Sequence, residues 1–180
     1  LEQLVTRAVP ADILAQLLAA VPEKEAATRS SGGDIMQRAA ALVPSLCGGA
    51  ADLNPSTRTH LKAEKDLFPA SPDGRNIHFG VREFGMGLCA NGLARCGTAI
   101  PFTATFFVFA DYMKPALRLA AIQQLHVIFV FTHDSLFVGE DGPTHQPIEQ
   151  AAMLRAIPGM TVLRPAESHE VAHAWAVALQ

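Results

Sequence analysis

Five consecutive apolar residues, Val127-Ile128-Phe129-Val130-Phe131, form the clearest pattern in the chain and read as a fully buried strand within a strand predicted over 126–131. Segments of strand length and helix length alternate around it. Ile13, Leu14, Leu17 and Leu18 recur at helical spacing until Pro22, ahead of a polar stretch from Glu23 to Ser31. The pattern then predicts a helix from Gly33 to about Leu42, short strands over 45–47 and 77–79, a helix over 82–95 and a strand over 98–103. A helix over 106–124 precedes the apolar strand, and a helix over 147–156, a strand over 161–164 and a helix over 167–179 follow it. Such alternation predicts an α/β fold, a doubly wound and mainly parallel sheet of about five or six strands between helices. Residues 1–30 read as a linker and helical segment, and 31–180 as the domain proper. The polar, Pro- and Gly-containing stretch from Asn54 to Asn76 reads as a functional or a mobile loop.

Composition narrows the class. With 49% hydrophobic and 17% charged residues the chain suits a globular domain with an apolar surface or a large interface. A net charge of -3 without a basic cluster gives no support for nucleic-acid binding, and no apolar run is long enough to span a bilayer. The opening LEQLVTRAVP lacks the layout of a secretory signal and has no initiator Met, so it reads as a segment of a longer protein. Cys47, Cys89 and Cys96 lack CxxC spacing and read as buried thiols of a reducing, cytoplasmic compartment.

Several segments carry chemistry in their residue types. The stretch from Thr132 to Pro147, THDSLFVGEDGPTHQP, packs two histidines, three acids, two glycines and two prolines into a loop directly after the apolar strand. Open α/β sheets bind ligands at that place, beyond the carboxyl ends of their strands. On composition alone an ordinary polar loop fits equally well. Glu83 opens a helix that is otherwise apolar and glycine-rich (Gly85, Gly87, Gly92), and a carboxylate on a dry interface there can share a proton with a ligand nitrogen. Phe106, Phe109 and Tyr112, at i, i+3 and i+6, form an aromatic stripe, a spacing found more often in cores than in cofactor platforms. The HExxH match from His169 to His173 has no evident third ligand, and its alanine-rich helix, with Trp175 and Val177, reads as amphipathic packing.

ATR at 27–29, GGAADL at 48–53, GVREFGM at 80–86, the TFFVFADY run and THDSLFVGEDGPTHQP are together similar, in order and spacing, to the pyrimidine-binding middle domain of transketolases. The likeness covers nearly the whole chain and is weakest over the first twenty or so residues. It implies a thiamine-diphosphate-binding fold and transfer of a two-carbon ketol unit between sugar phosphates. By the same resemblance, Glu83 matches the glutamate that hydrogen-bonds the aminopyrimidine ring nitrogen of thiamine diphosphate and so helps activate the thiazolium carbon. Phe106, Phe109 and Tyr112 match the pocket that stacks the pyrimidine, and Asp52 an acid near the cofactor. Arg29, Ser56 and His133 match residues that hold the sugar phosphate. Asp141 matches the acid that reads the donor's hydroxyl stereochemistry, and His145 a histidine that contacts substrate hydroxyls and the acceptor aldehyde. The family usually has Ser where Ala50 stands and Gly where Phe137 stands.

The family's diphosphate-binding domain carries a GDG…N motif that holds Mg²⁺ or Ca²⁺, and this chain has no such motif. The resemblance therefore implies one wall of a site whose other wall, metal included, belongs to the diphosphate-binding domain of a second subunit in a homodimer. Two alternatives stay open: a dihydroxyacetone synthase-type transferase, and a non-catalytic module that keeps the fold for assembly or regulation. On either enzymatic reading the isolated chain is expected to be inactive.

Overall fold

The computed structural model describes residues 6–24 and 26–180. Leu1 to Val5, part of the N-terminal reading above, and Glu25 lie outside it. Three parallel strands, β1 (Leu46–Ala50), β2 (Ile100–Phe106) and β3 (Ile128–Thr132), form a sheet in the order β1-β2-β3. The helices are α1 (Ile13–Leu18), α2 (Thr28–Leu42), the short α3 (Asn54–Thr57), α4 (Glu83–Cys96), α5 (Ala110–Ile122), α6 (Gln150–Arg155) and α7 (Ser168–Leu179).

Strand alternation divides the core into two layers. Ile100, Phe102 and Ile128 pack with α1, α2 and α7 through Ile13, Leu17, Ile35, Met36, Val171 and Trp175. On the other face Phe129 and Phe131 meet α4, α5 and α6 through Met86, Met113, Leu117 and Leu154. Successive strand side chains point to opposite faces, so each crossover helix finds an apolar surface waiting. The result is the expected doubly wound α/β arrangement, with helices on both faces of a parallel sheet.

The sequence pattern errs in several places, each for a physical reason. The sheet has three strands among the described residues, not five or six. The segment expected as a strand over 77–79 makes one bridge to β1: Gly48 N donates to Arg75 O and Ile77 N to Gly48 O. A second isolated bridge joins Asn76 to Asp66, where Asn76 N donates to Lys65 O and Leu67 N to Asn76 O; the Asn76 side chain bonds the backbone of Leu61 and Glu64, and His78 meets Asp66. The same Asn76 contacts order the 54–76 stretch, which opens with α3. The 161–164 segment forms no ladder; Pro165 keeps Arg164 extended, but the residue meets the end of β3 through its side chain. Among these strands β3 lies at an edge, so Phe129, Val130 and Phe131 are half-buried rather than fully buried. Phe106 closes β2 instead of opening a helix; a 3₁₀ turn over Phe107–Phe109 leads into α5. Helix α2 begins at Thr28, ahead of the expected Gly33, so the boundary drawn at residue 30 falls inside it, and α1 packs in the same core. Cys89 and Cys96 are exposed and Cys47 half-buried, with no disulfide among the described residues. Burial raises the Cys47 thiol pKa, with Arg75 opposing.

Candidate functional site

All three strands deliver site residues at their carboxyl ends. Asp52 follows β1, Phe106 ends β2, and His133 follows β3. Asp52 and His133 both sit in the left-handed region, at φ of 62° and 56°. That region is unfavourable for residues with side chains, and such strain tends to gather at functional sites.

His133 is the hub. Its ring lies 3.8 Å from that of Phe106, centroid to centroid, tilted by 31°. Arg29 Nη1 lies 3.0 Å from His133 Nε2 and 3.3 Å from the Ser56 carbonyl oxygen. A guanidinium can only donate, so Nε2 accepts, and Nδ1 carries the proton it donates to Thr132 Oγ1 at 2.9 Å. Burial lowers the His133 pKa below the ordinary histidine value, and Arg29 and His145 reinforce this against the pull of Asp141 and Asp134. The neutral ring required by the hydrogen bonds is thus also favoured by its surroundings.

Arg29 reaches this point because Gly33, one turn further along α2, lets the helix close on the turn after α3. A Cβ at Gly33 would lie 2.8 Å from Arg58 O. Ser56 contributes its backbone carbonyl, and its hydroxyl makes no hydrogen bond among the described residues.

The aromatic stripe is continuous across the strand–helix junction. Phe106 and Phe109 stack at 6.1 Å, and Phe109 and Tyr112 at 5.8 Å; Tyr112 is 64% exposed at the outer end. His145 stands edge-on to Phe109 at 5.3 Å and to Phe106 at 6.2 Å, its Nδ1 2.9 Å from Thr144 Oγ1. Asp141 is exposed on the loop between the two histidines, close enough to act on His133 electrostatically. The structure therefore brings together Arg29, Ser56, Phe106, Phe109, Tyr112, His133, Asp141 and His145.

Glu83 and Asp52 stand apart from these contacts. Glu83, in the first turn of α4, is 9% exposed, and its carboxylate makes no hydrogen bond or ion pair among the described residues. Asp52 lines a half-open cleft of about 690 Å³ with Asp34, Arg58, His60 and Lys62. The residues of the HExxH match serve the start of α7: Glu167 accepts from His169 N and Glu170 N, and Glu170 accepts from Ala166 N. No group of three potential ligands for a metal ion occurs among the described residues.

Sequence reasoning missed the polar clamps at the two ends of the loop. Arg164 holds Asp134 at 2.9 Å, and buried Gln150 donates to Asp111 at 3.0 Å while accepting from Ile148 N at 2.9 Å. Asp111 and Asp134 stood inside recognised motifs, but only three-dimensional proximity reveals their partners.

A parallel α/β domain with aromatic, cationic and acidic side chains gathered at the carboxyl edge of its sheet belongs to the class of open-sheet ligand-binding domains. Comparison makes this specific: the chain belongs to the family of transketolase pyrimidine-binding domains, whose model, described as "Transketolase, pyrimidine binding domain", matches residues 24–180. It is 55% identical over 157 residues to the transketolase of Halalkalibacterium halodurans, a match covering 87% of this chain and 24% of that protein. Among solved structures, a transketolase from Leishmania mexicana superposes with a TM-score of 0.94 at 42% identity, over 99% of this chain and 27% of the other. A Pichia stipitis transketolase in complex with sedoheptulose-7-phosphate superposes at 0.90 with 36% identity, over 99% of this chain and 28% of its own. The chain spans about a quarter of the length of these relatives.

Proposed function

We propose that this chain forms the pyrimidine-binding wall of a transketolase active site, for thiamine-diphosphate-dependent transfer of a two-carbon ketol unit from a ketose phosphate to an aldose phosphate. The observation that carries the reading is the cluster at the carboxyl edge, where an aromatic stack, two histidines and an arginine converge. Phe106, Phe109 and Tyr112 offer a flat apolar face for a pyrimidine. The residues present fit the cofactor at a second point, because Glu83, 9% exposed in the first turn of α4, has no hydrogen-bond or ion-pair partner among the described residues. A carboxylate placed there can accept a hydrogen bond from a protonated ring nitrogen. When bound, thiamine diphosphate supplies the carbon nucleophile and the electron sink of the transfer.

Arg29 and His133 form the anchor for the sugar phosphate. A dianion offers better acceptors than a carbonyl and an imidazole, so it would draw Arg29 from Ser56 O and His133 Nε2 into charge-assisted bonds. The negative charge would also favour a proton on Nε2, turning that nitrogen from acceptor into donor. Asp141 and His145, further along the loop, face the hydroxyl-bearing part of the substrate. Asp52 lies toward the cofactor.

Mg²⁺ or Ca²⁺ is assigned to a diphosphate-binding domain contributed by a second subunit, which makes the working unit a homodimer. We place the enzyme in the cytoplasm and in the pentose phosphate pathway. A donor–acceptor panel on the full-length protein, with and without thiamine diphosphate, tests the reading. Cofactor-dependent ketol transfer between sugar phosphates is the expected result, and its absence with every pair would overturn the assignment.

A further inference from the structure

Asp134, directly after His133, is held at both its side chain and its main chain. Arg164 Nε donates to Asp134 Oδ2 at 3.1 Å, and Nη2 donates to the same oxygen at 2.9 Å and to the Asp134 carbonyl oxygen at 3.2 Å. A planar guanidinium that grips a carboxylate and the adjacent carbonyl restricts the backbone of that residue as well as its rotamer. The base of the clamp is itself fixed. Pro165 confines Arg164 to extended conformations, and Val162, two residues earlier, packs against the core layer of α4 and α5.

The restraint falls next to a strained residue. His133 at φ 56° keeps its conformation only if neighbouring contacts over-determine it. Thr132 and Arg29 hold its ring, and the Arg164 clamp holds the chain one residue downstream. We propose that Arg164 is a positioning residue for the anion anchor, acting through Asp134 to keep the His133 ring between Phe106 and Arg29. The inference rests on the reading of Arg29 and His133 as the phosphate anchor. Arg164 itself touches none of the anchor side chains, and both partners of the clamp are about half exposed. Ion pairs of that kind contribute little to stability, so the effect should appear in the geometry of the anchor rather than in the fold.

The test uses the full-length enzyme with Arg164→Met and Arg164→Lys. Lysine retains the positive charge beside Asp134 but cannot make the three bonds of the guanidinium, so it separates charge from geometry. Both variants should raise KM for a phosphorylated ketose about two- to fivefold, the range set by a half-exposed pair. KM for hydroxypyruvate, which has no phosphate, and kcat should stay at wild-type values. Equal changes for both donors, or full rescue by lysine, would overturn the proposal.

A second readout does not depend on turnover. His133 faces Arg29, Asp134, Asp141 and His145, and burial and Arg29 hold its pKa down. In carbon-13 histidine-labelled protein, Arg164→Lys should shift the His133 titration up toward the ordinary value as the ring leaves Arg29. An unmoved titration refutes the positioning role. If the wild type accepts no ketose phosphate, the proposed function fails on its own, and this titration still decides the clamp.

Discussion

At the scale of single residues, three side chains carry separable parts of the proposed chemistry. Glu83 is nearly buried and has no partner among the described residues. In the full-length enzyme Glu83→Gln should keep the fold but sharply slow exchange of the thiazolium proton, followed by NMR, because an amide is a poor proton partner. Exchange at the wild-type rate would remove Glu83 from the mechanism. Arg29→Ala should raise KM for phosphorylated donors far more than for hydroxypyruvate. Loss of a charge-assisted contact costs about 1.5–3 kcal/mol, on the order of ten- to a hundredfold. Equal losses for the two donors would contradict a phosphate role. His133 adds a pH signature. Its folded-state pKa is lowered, so between that value and the ordinary histidine value of about 6.5 the unfolded chain binds more protons than the folded one. The contribution of His133 therefore disfavours folding in acid and is relieved as pH rises through about 6.5. Unfolding midpoints of wild type and His133→Asn, compared across this range, should show the wild type gaining relative to the variant as pH rises. A constant difference would show that the ring is not held neutral.

At the scale of elements, most of the fold is legible in the sequence because the two periodicities are clean. The helices α4, α5 and α7 and the strands β2 and β3 fall within a few residues of their predicted places. The misses share a cause: a single chain's pattern records whether a segment is apolar and extended, not whether a second strand lies beside it. Segments 77–79 and 161–164 bear apolar residues, yet the first stops at a single bridge to β1 and the second meets the chain after β3 through the Arg164 side chain, where ladders were expected. The grouping of the candidate site residues was legible for a different reason. Its residues sit in contiguous motifs with a recognised order, whereas Arg164, Asp134, Gln150 and Asp111 act through pairings that cross 30 to 39 positions of the chain. Packing between α4 and α5 offers a sharp test of the element scale. A Cβ at Gly87 would lie 2.7 Å from Ala116 Cβ and 3.1 Å from Met113 Cγ, and Asn91 Nδ2 donates to Ala116 O at 2.9 Å on the same seam. Gly87→Ala should cost about 1–3 kcal/mol by overpacking, despite alanine's better helix propensity. Thermal unfolding of the full-length protein checks this, and an unchanged or raised midpoint would show that the seam gives way easily.

At the scale of the whole molecule, the chain exposes more surface than its mass calls for. It has 9746 Å² accessible, whereas compact monomers of 19.2 kDa have about 8,400 Å². Part of the excess is apolar and placed on α4 and α5: Phe84 and Leu88 lie one turn apart on α4, and Tyr112, Leu119 and Ile122 are exposed on α5. A Cβ at Gly92 would meet no other atom within 4 Å, so the chain itself leaves the space beside α4 open. Such surfaces mark contacts, and on the proposed function they face a diphosphate-binding domain and a second subunit. The isolated chain should therefore form a dimer or larger species, bind thiamine diphosphate very weakly and perform no ketol transfer. On the proposed function the aromatic stack and Glu83 serve the pyrimidine end of the cofactor, and the diphosphate and its metal belong to the other domain. Calorimetry with cofactor and Mg²⁺, alongside light scattering for mass, measures both parts. Tight metal-dependent cofactor binding by a monomer would refute the idea that this chain is one wall of a shared site, because the diphosphate would then have to find its ligands within the chain.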